Sequence, residues 1–263
     1  MYLKEHRISF KGGEKMRFTI NMQMSKAGTI PYDYRSNVVS LLKYSLQKVN
    51  SDFYTKLYEN GNQQKWYTWS LYVPKGTFGP NEIRLNEDEP RLILNFSCLD
   101  QQMAMNVYNA FKWLSGSVIR TPHRFSGDIL IKHLTIKKYY LTPIKTTQIV
   151  VKTLSPIAVR DHRAKNDDWY YSVNDLNHFT QILKRNMTTK YEPYLGSLTQ
   201  QMVNQFQILP IQPKMTVVKC YNKQLECSTG IYVLQGSQEL LELIRDGGLG
   251  SQTGLGFGLL QIV

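Results

Sequence analysis

Two βαββαβ units in tandem, an α+β architecture, are what this sequence predicts, and three observations predict it. Alternating apolar and polar residues recur in short runs, the period of a half-buried strand. Longer segments between those runs carry apolar residues at helical spacing. The order strand, helix, strand, strand, helix, strand then occurs twice along 263 residues, which is the ferredoxin-like (RRM-like) pattern repeated.

The elements follow in order. Met16–Met24 (MRFTINMQM) alternates and leads into a polar turn through Gly28 and Pro31. Ser36 is placed to cap a helix through Val38, Val39, Leu41, Leu42 and Leu46, and Ser51 to cap a short second helix over 52–59 that closes at Gly61. Residues 66–73 (WYTWSLYV) and 91–97 (RLILNFS) read as the next strand pair. A helix over 99–114 presents Met103, Val107, Ala110, Phe111 and Leu114 on one face, and 128–140 (DILIKHLTIKKYY) closes the unit as a strand.

The second unit begins at Thr147 with TQIVVKTLSPIAV, where Pro156 ends the strand. A polar, aromatic stretch leads to a helix over 174–190, and further strands are expected at 215–220 and 230–234. Ser237 caps the helix QELLELIRD, which stops at Gly247 before a glycine-rich loop and the last strand. The expected domains are 16–143 and 144–263, joined near 141–146. The run KGGEK before Met16 has the composition that a purine-rich ribosome-binding site gives when translated, so 1–15 is read as an extension that is non-native or disordered.

A net charge of +12 accompanies seventeen tyrosines, ten phenylalanines and four tryptophans. Cations with stacking faces suit RNA better than a membrane surface. No apolar run approaches the ~20 residues that span a bilayer, and the N-terminus has no apolar signal region, so the expected location is the cytoplasm. Cys98, Cys220 and Cys227 are odd in number and at no ligand spacing, which indicates neither a disulfide framework nor a zinc site. No cofactor and no metal are expected.

The stretch GLGSQTGLGFGLLQIV concentrates glycine where the chain turns from a helix into a strand. Glycine tolerates positive φ and close approach, so successive N–H groups can face phosphate oxygens without an intervening side chain. Gly248, Gly250, Ser251, Gln252, Thr253, Gly254, Gly256 and Gly258 are accordingly candidate RNA contacts. Arg160, Arg163, Lys132 and their basic neighbours Arg120, Arg124, Lys137 and Lys138 could line a cleft, with Trp169, Tyr170 and Tyr171 as stacking platforms.

This arrangement resembles the CRISPR precursor-RNA-processing endoribonucleases of the repeat-associated (RAMP) superfamily. The resemblance rests on the glycine loop, on Thr153-Leu154-Ser155-Pro156-Ile157-Ala158-Val159, on Ile30-Pro31-Tyr32-Asp33-Tyr34, and on Leu57-Tyr58-Glu59-Asn60-Gly61 followed by Trp66-Tyr67-Thr68-Trp69-Ser70. It implies binding of CRISPR repeat RNA and a cut made without a metal by the RNA's own 2′-OH, leaving a 2′,3′-cyclic phosphate and a 5′-OH. It leaves open an inactive repeat-binding or scaffold protein of the same fold, and effector-complex subunits or a second copy of the chain as partners. A single-strand RNA binder unrelated to CRISPR is the remaining alternative, and the usual aromatic RRM signature is not evident.

The chain departs from the family where chemistry is concentrated. Tyr58 stands where a histidine is usual, Lys43 stands where a tyrosine is common on the first helix, and Lys65 matches the lysine before the strand. Lys43, Tyr58, Lys65 and Tyr44 are therefore the expected catalytic residues. Tyrosine and lysine, with ordinary values near 10 and 10.4, are poor bases at neutral pH, and losing a matched acid–base group removes ~10² to 10⁴ of rate. A slow enzyme follows. Of the five histidines, His6 falls in the extension, His133 is expected mid-strand, His178 on a helix face, and His123 and His162 in basic loops.

Overall fold

The computed structural model describes residues 16–61, 63–164 and 167–263. The expectation about 1–15 lies outside the described residues. In chain order the first half comprises β1 (Met16–Met24), β2 (Thr29–Pro31), α1 (Arg35–Val49), α2 (Ser51–Tyr58), β3 (Tyr67–Tyr72), β4 (Thr77–Phe78), β5 (Glu82–Arg84), β6 (Arg91–Cys98), α3 (Gln101–Arg120), β7 (His123–Ser126) and β8 (Ile129–Tyr140). The second comprises β9 (Gln148–Thr153), β10 (Val159–Ala164), β11 (Asp167–Tyr171), α4 (Leu176–Leu195), α5 (Thr199–Gln205), β12 (Gln207–Cys220), β13 (Lys223–Gln235), α6 (Gln238–Gly247) and β14 (Leu260–Ile262).

The first sheet runs β3-β6-β1-β8-β7 and the second β12-β13-β9-β14, both antiparallel. With the small hairpins removed, each has the order 2-3-1-4 of a ferredoxin-like unit, so the tandem α+β fold is as expected. The strand period sets the first core: Phe18, Ile20 and Met22 of β1 lie beside Leu92, Leu94 and Phe96 of β6 and pack under α1 and α3. Their neighbours Thr19, Asn21 and Asn95 fall on the opposite face. Val151, Tyr232 and Leu234 form the matching core beneath α4 and α6. No helix among the described residues is long and apolar enough to cross a membrane.

Several boundaries differ from the sequence reading. Ser36 lies inside α1 and turns its hydroxyl back to Asp33 O at 2.9 Å, so it caps nothing. Asn50 rather than Ser51 caps α2, its Oδ1 accepting from Phe53 N at 3.1 Å. Ser237 caps α6 as expected. Helix α3 starts at Gln101 behind an Asp100 cap and continues to Arg120, and α4 runs on to Leu195. The two short strands expected at 215–220 and 230–234 belong to one long hairpin, β12–β13, turning at Tyr221 and Asn222, both at positive φ.

The halves are locked by polar bonds, from Thr68 and Arg17 on the open face of the first sheet and from Trp69 on its helix-covered face. Thr68 Oγ1 donates to Phe257 O at 2.8 Å, Trp69 Nε1 to Gly254 O at 3.1 Å, and Arg17 Nη2 to Arg245 O at 2.6 Å. These bonds bring the glycine loop of the second half against β3 of the first.

Candidate RNA-processing site

Helix α2 ends at Tyr58 because Gly61, at φ +77, turns the chain back toward β3. That turn sets Lys65 beside the helix it follows. Lys65 Nζ donates to Leu57 O at 2.7 Å and Gln63 O at 2.8 Å and lies 5.2 Å from the Tyr58 ring centroid. Lys43 Nζ, from α1, lies 4.8 Å from the same centroid. Two ammonium groups therefore converge on one partly buried aromatic ring, an attraction between cation and π face. An ammonium has three donors, so Lys65 keeps one for a ligand.

The Tyr58 hydroxyl lies 2.7 Å from that of fully buried Tyr67. Burial pushes Tyr58 up to about 12, and Tyr67 well above the ordinary phenol value. Tyr58 is consequently neutral across the physiological range and suited to donate a proton rather than to take one. Lys65 is held below the ordinary lysine value, by burial first and then by the charge of Lys43. Tyr44, the neighbour of Lys43, is directed elsewhere: its ring stacks on His123 at 4.8 Å and meets Trp113 edge-on at 5.8 Å. Successive helical residues lie about 100° apart, which separates Tyr44 from Tyr58.

The glycine loop is more a packed wedge than an open cradle. A Cβ on Gly256 would meet the Trp69 ring at 2.7 Å, and one on Gly258 would meet Leu249 O at 2.0 Å. Both have positive φ. The amides of Gly248, Leu249, Ser251, Leu255, Gly256, Gly258 and Leu259 donate to Ile244 O, Gly258 O, Ala158 O, Gln252 O, Thr253 O, Pro156 O and Ser155 Oγ. The eight loop positions expected to contact RNA therefore differ in exposure. Gly248, Gly250, Thr253, Gly256 and Gly258 are buried, with only Ser251, Gln252 and Gly254 partly exposed. The amides of Gln252, Thr253 and Gly254 make no hydrogen bond among the described residues. Gln252 has left-handed φ of 59°, and Gly254 packs on the Lys65 stem, where a Cβ would lie 2.8 Å from Cγ. The open part of the loop thus adjoins the lysine cluster.

Other expected contacts are dispersed. Arg160 Nε lies 2.7 Å from Asp168 Oδ1, and His162 Nδ1 approaches the same oxygen at 2.7 Å. Burial works to raise the Asp168 carboxyl, yet hydrogen bonds from Arg160 and His162 outweigh it and hold the carboxyl below its ordinary value. Arg160 is therefore partly occupied within the protein. Arg163 lies on β10, its side chain outside the described residues. Lys132 is exposed in the β8 bulge, where Gln23 pairs with His133 and Met24 with Ile131. It makes no hydrogen bond or ion pair with the Tyr58 cluster. Lys137 and Lys138 diverge, Lys138 Nζ standing 4.3 Å from the Tyr108 ring centroid and Lys137 Nζ 5.1 Å from that of Tyr139. Exposed Trp169 remains available for stacking.

Two contributors escaped the sequence reading. Tyr221, half-exposed at the β12–β13 tip, comes near enough for its charge to help raise Tyr58 and Tyr67. Buried Arg35 stands 4.5 Å from the Phe257 ring centroid, which pins the loop to α1.

Residues 135–262 match the family described as CRISPR associated protein Cas6, C-terminal. The chain is 22% identical over 250 residues to a CRISPR-associated endoribonuclease Cas6 1 of Methanocaldococcus jannaschii, covering 94% of this chain and 92% of the relative. A solved structure described as a Cas6-related gene product from Pyrococcus furiosus superposes with a TM-score of 0.78 at 22% identity, covering 95% of this chain and 98% of that one. Another, described as a RAMP protein binding different RNA substrates, superposes at 0.75 with 18% identity, covering 94% and 99%.

Proposed function

We propose that this chain, a RAMP-superfamily protein of Cas6 type, binds CRISPR repeat RNA and cuts the precursor transcript without a metal, the RNA's 2′-OH attacking the adjacent phosphate. The observation that carries the reading is the convergence of Lys43 and Lys65 on Tyr58, beside the open amides of the glycine loop. Its M. jannaschii relative is named a CRISPR-associated endoribonuclease, in line with that chemistry.

In this mechanism the phosphate sits between the free donor of Lys65 and the amides of Gln252 and Gly254. Lys65 and Lys43 stabilise the added negative charge of the phosphorane, where fixed cations are most effective. Tyr58, neutral up to about 12, donates to the departing 5′-oxygen once its bond with Tyr67 rearranges. Among the described residues the site pairs no histidine or carboxylate with Tyr58, Lys43 or Lys65, so the 2′-OH proton passes to water as the 2′-oxygen bonds to phosphorus. Positioning then carries most of the acceleration, and turnover is slow.

One observation favours the binding-only alternative: the Tyr58 hydroxyl is already engaged by Tyr67. Incubating cognate repeat RNA with excess protein in EDTA separates the two. The nuclease yields one discrete cut with a 2′,3′-cyclic phosphate and a 5′-OH. Intact RNA in a stable complex establishes the binder, and a cut that needs added divalent metal contradicts the mechanism.

A further inference from the structure

The TLSPIAV segment has no part in the Tyr58 cluster, yet it borders a built cavity. Strands β9 and β13 pair regularly as far as Lys152 opposite Ile231, and pairing resumes at the bridge between Ile157 and Ser228. On the β13 side, Thr153, Leu154, Ser155 and Pro156 therefore have only Thr229 and Gly230 opposite them, while their other side bonds to 258–260. The strands splay, leaving a cavity of about 370 Å³. This is the lower end of the ~300–1,000 Å³ typical of small-ligand sites. Gly230 makes the splay feasible: its φ is +134° and a Cβ there would lie 2.0 Å from Gln212 O, opposite a bulge in β12.

The lining suits a planar, polar-edged ligand. Leu154, Pro156 and Ile231 supply apolar walls. Thr153 Oγ1 accepts from Gly230 N at 2.9 Å, and Ser155 Oγ accepts from Leu259 N at 2.9 Å. Each hydroxyl oxygen thus accepts one bond, and neither O–H has an acceptor among the described residues, so both are free to donate. Exposed Lys152 stands at the rim.

Resting on the RNA-binding reading above, we infer that this cavity receives one unstacked nucleobase from a single-stranded part of the bound RNA. Thr153 and Ser155 donate to base carbonyl oxygens, and Lys152 pairs with the adjoining phosphate. Single-stranded RNA is read in this way, through splayed bases bonded along their edges. Uracil offers carbonyl oxygens O2 and O4 on either side of N3 to these two donors, whereas adenine offers only ring nitrogens beside an amino donor, so the site is proposed to favour uracil.

The test compares short uridine and adenosine oligomers of equal length by fluorescence anisotropy. Thr229→Trp fills the cavity and is expected to weaken uridine-oligomer binding about tenfold, about 1.4 kcal/mol, while changing adenosine-oligomer binding less than twofold. Lys152→Ser is expected to weaken both and lower the salt dependence by about one charge. Photocrosslinking of the wild-type protein to a 4-thiouridine oligomer, which needs no variant, is expected to label residues 152–156 or 229–231. Unchanged uridine binding in a folded Thr229→Trp, or crosslinks confined elsewhere, overturns the pocket. If the wild-type protein binds neither oligomer nor repeat RNA, the functional reading itself fails.

Discussion

The α2–β3 corner of the first half and the α4–α6 corner of the second each hold a lysine that donates to two main-chain carbonyls. Lys65 reaches Leu57 O and Gln63 O; Lys190 reaches Gly247 O at 2.9 Å and Gly248 O at 2.7 Å. Lys65 is partly exposed, with a second cation and a tyrosine beside it. Lys190 is buried, and Tyr191 Oη adds a third donor to the same turn, at 3.0 Å from Gly248 O. Burial brings Lys190 down to about 7. One bonding pattern serves two ends: where water reaches the ammonium it remains available to a phosphate, and where water is excluded it fastens the start of the glycine loop to α4. Asn186, one turn earlier on α4, extends that fastening by donating to Ser251 Oγ at 3.2 Å.

The sharpest way to break the comparison is to unseat the loop. Gly258→Ala forces a methyl into Leu249 O, and a loss of at least ~4 kcal/mol in urea denaturation is expected, in the range reserved for severe backbone or packing conflict. Near-normal stability would show that the loop is not the wedge described.

Lys190→Ala opens a cavity and strands Gly247 O, Gly248 O keeping its bond from Tyr191, at a cost of about 2–5 kcal/mol. Its pH signature is distinctive. The folded value, about 7, lies below the ordinary 10.5, so between them the unfolded chain binds the extra proton and Lys190's contribution to stability rises with pH. Buried thiols and phenols act oppositely at higher pH, since Cys227 and Tyr58 are each raised to about 12. The difference between wild type and Lys190→Ala, followed by denaturation from pH 7 to 9, isolates the lysine, and a flat difference refutes its assignment.

A smaller effect belongs to the exposed corner. Tyr58→His restores a group with an ordinary value of ~6.5, and single-turnover cleavage is expected to rise at least about tenfold with a bend in its pH profile near that value. No gain would place the reacting phosphate away from position 58.

Legibility in the sequence followed how local each determinant is. Met16–Met24 and Ser237 were readable because period and cap chemistry act over a few residues. Ser36 and Ser51 misled because a serine near a helix start competes with its neighbours, and Asn50 took the cap. Sequence pattern alone breaks the long β12–β13 hairpin into two short strands because Pro210, Pro213 and Gly230 interrupt its alternation, features the structure absorbs as an edge strand and a bulge. Lys43, Tyr58 and Lys65 were found together through resemblance, whereas Tyr44 failed to join them for reasons of helical phase. Lys190 and Tyr221 gave no local signal. A helical lysine reads as solvated, and a hairpin tip reveals its neighbour only in three dimensions.

The most direct measurement is single-turnover cleavage of cognate repeat RNA in EDTA by the wild type and by the triple variant Lys43→Ala, Tyr58→Ala, Lys65→Ala. The wild type is expected to cut slowly at one position, and the variant to lose at least about a hundredfold in rate with RNA still bound. Equal rates in the two proteins would contradict the mechanism.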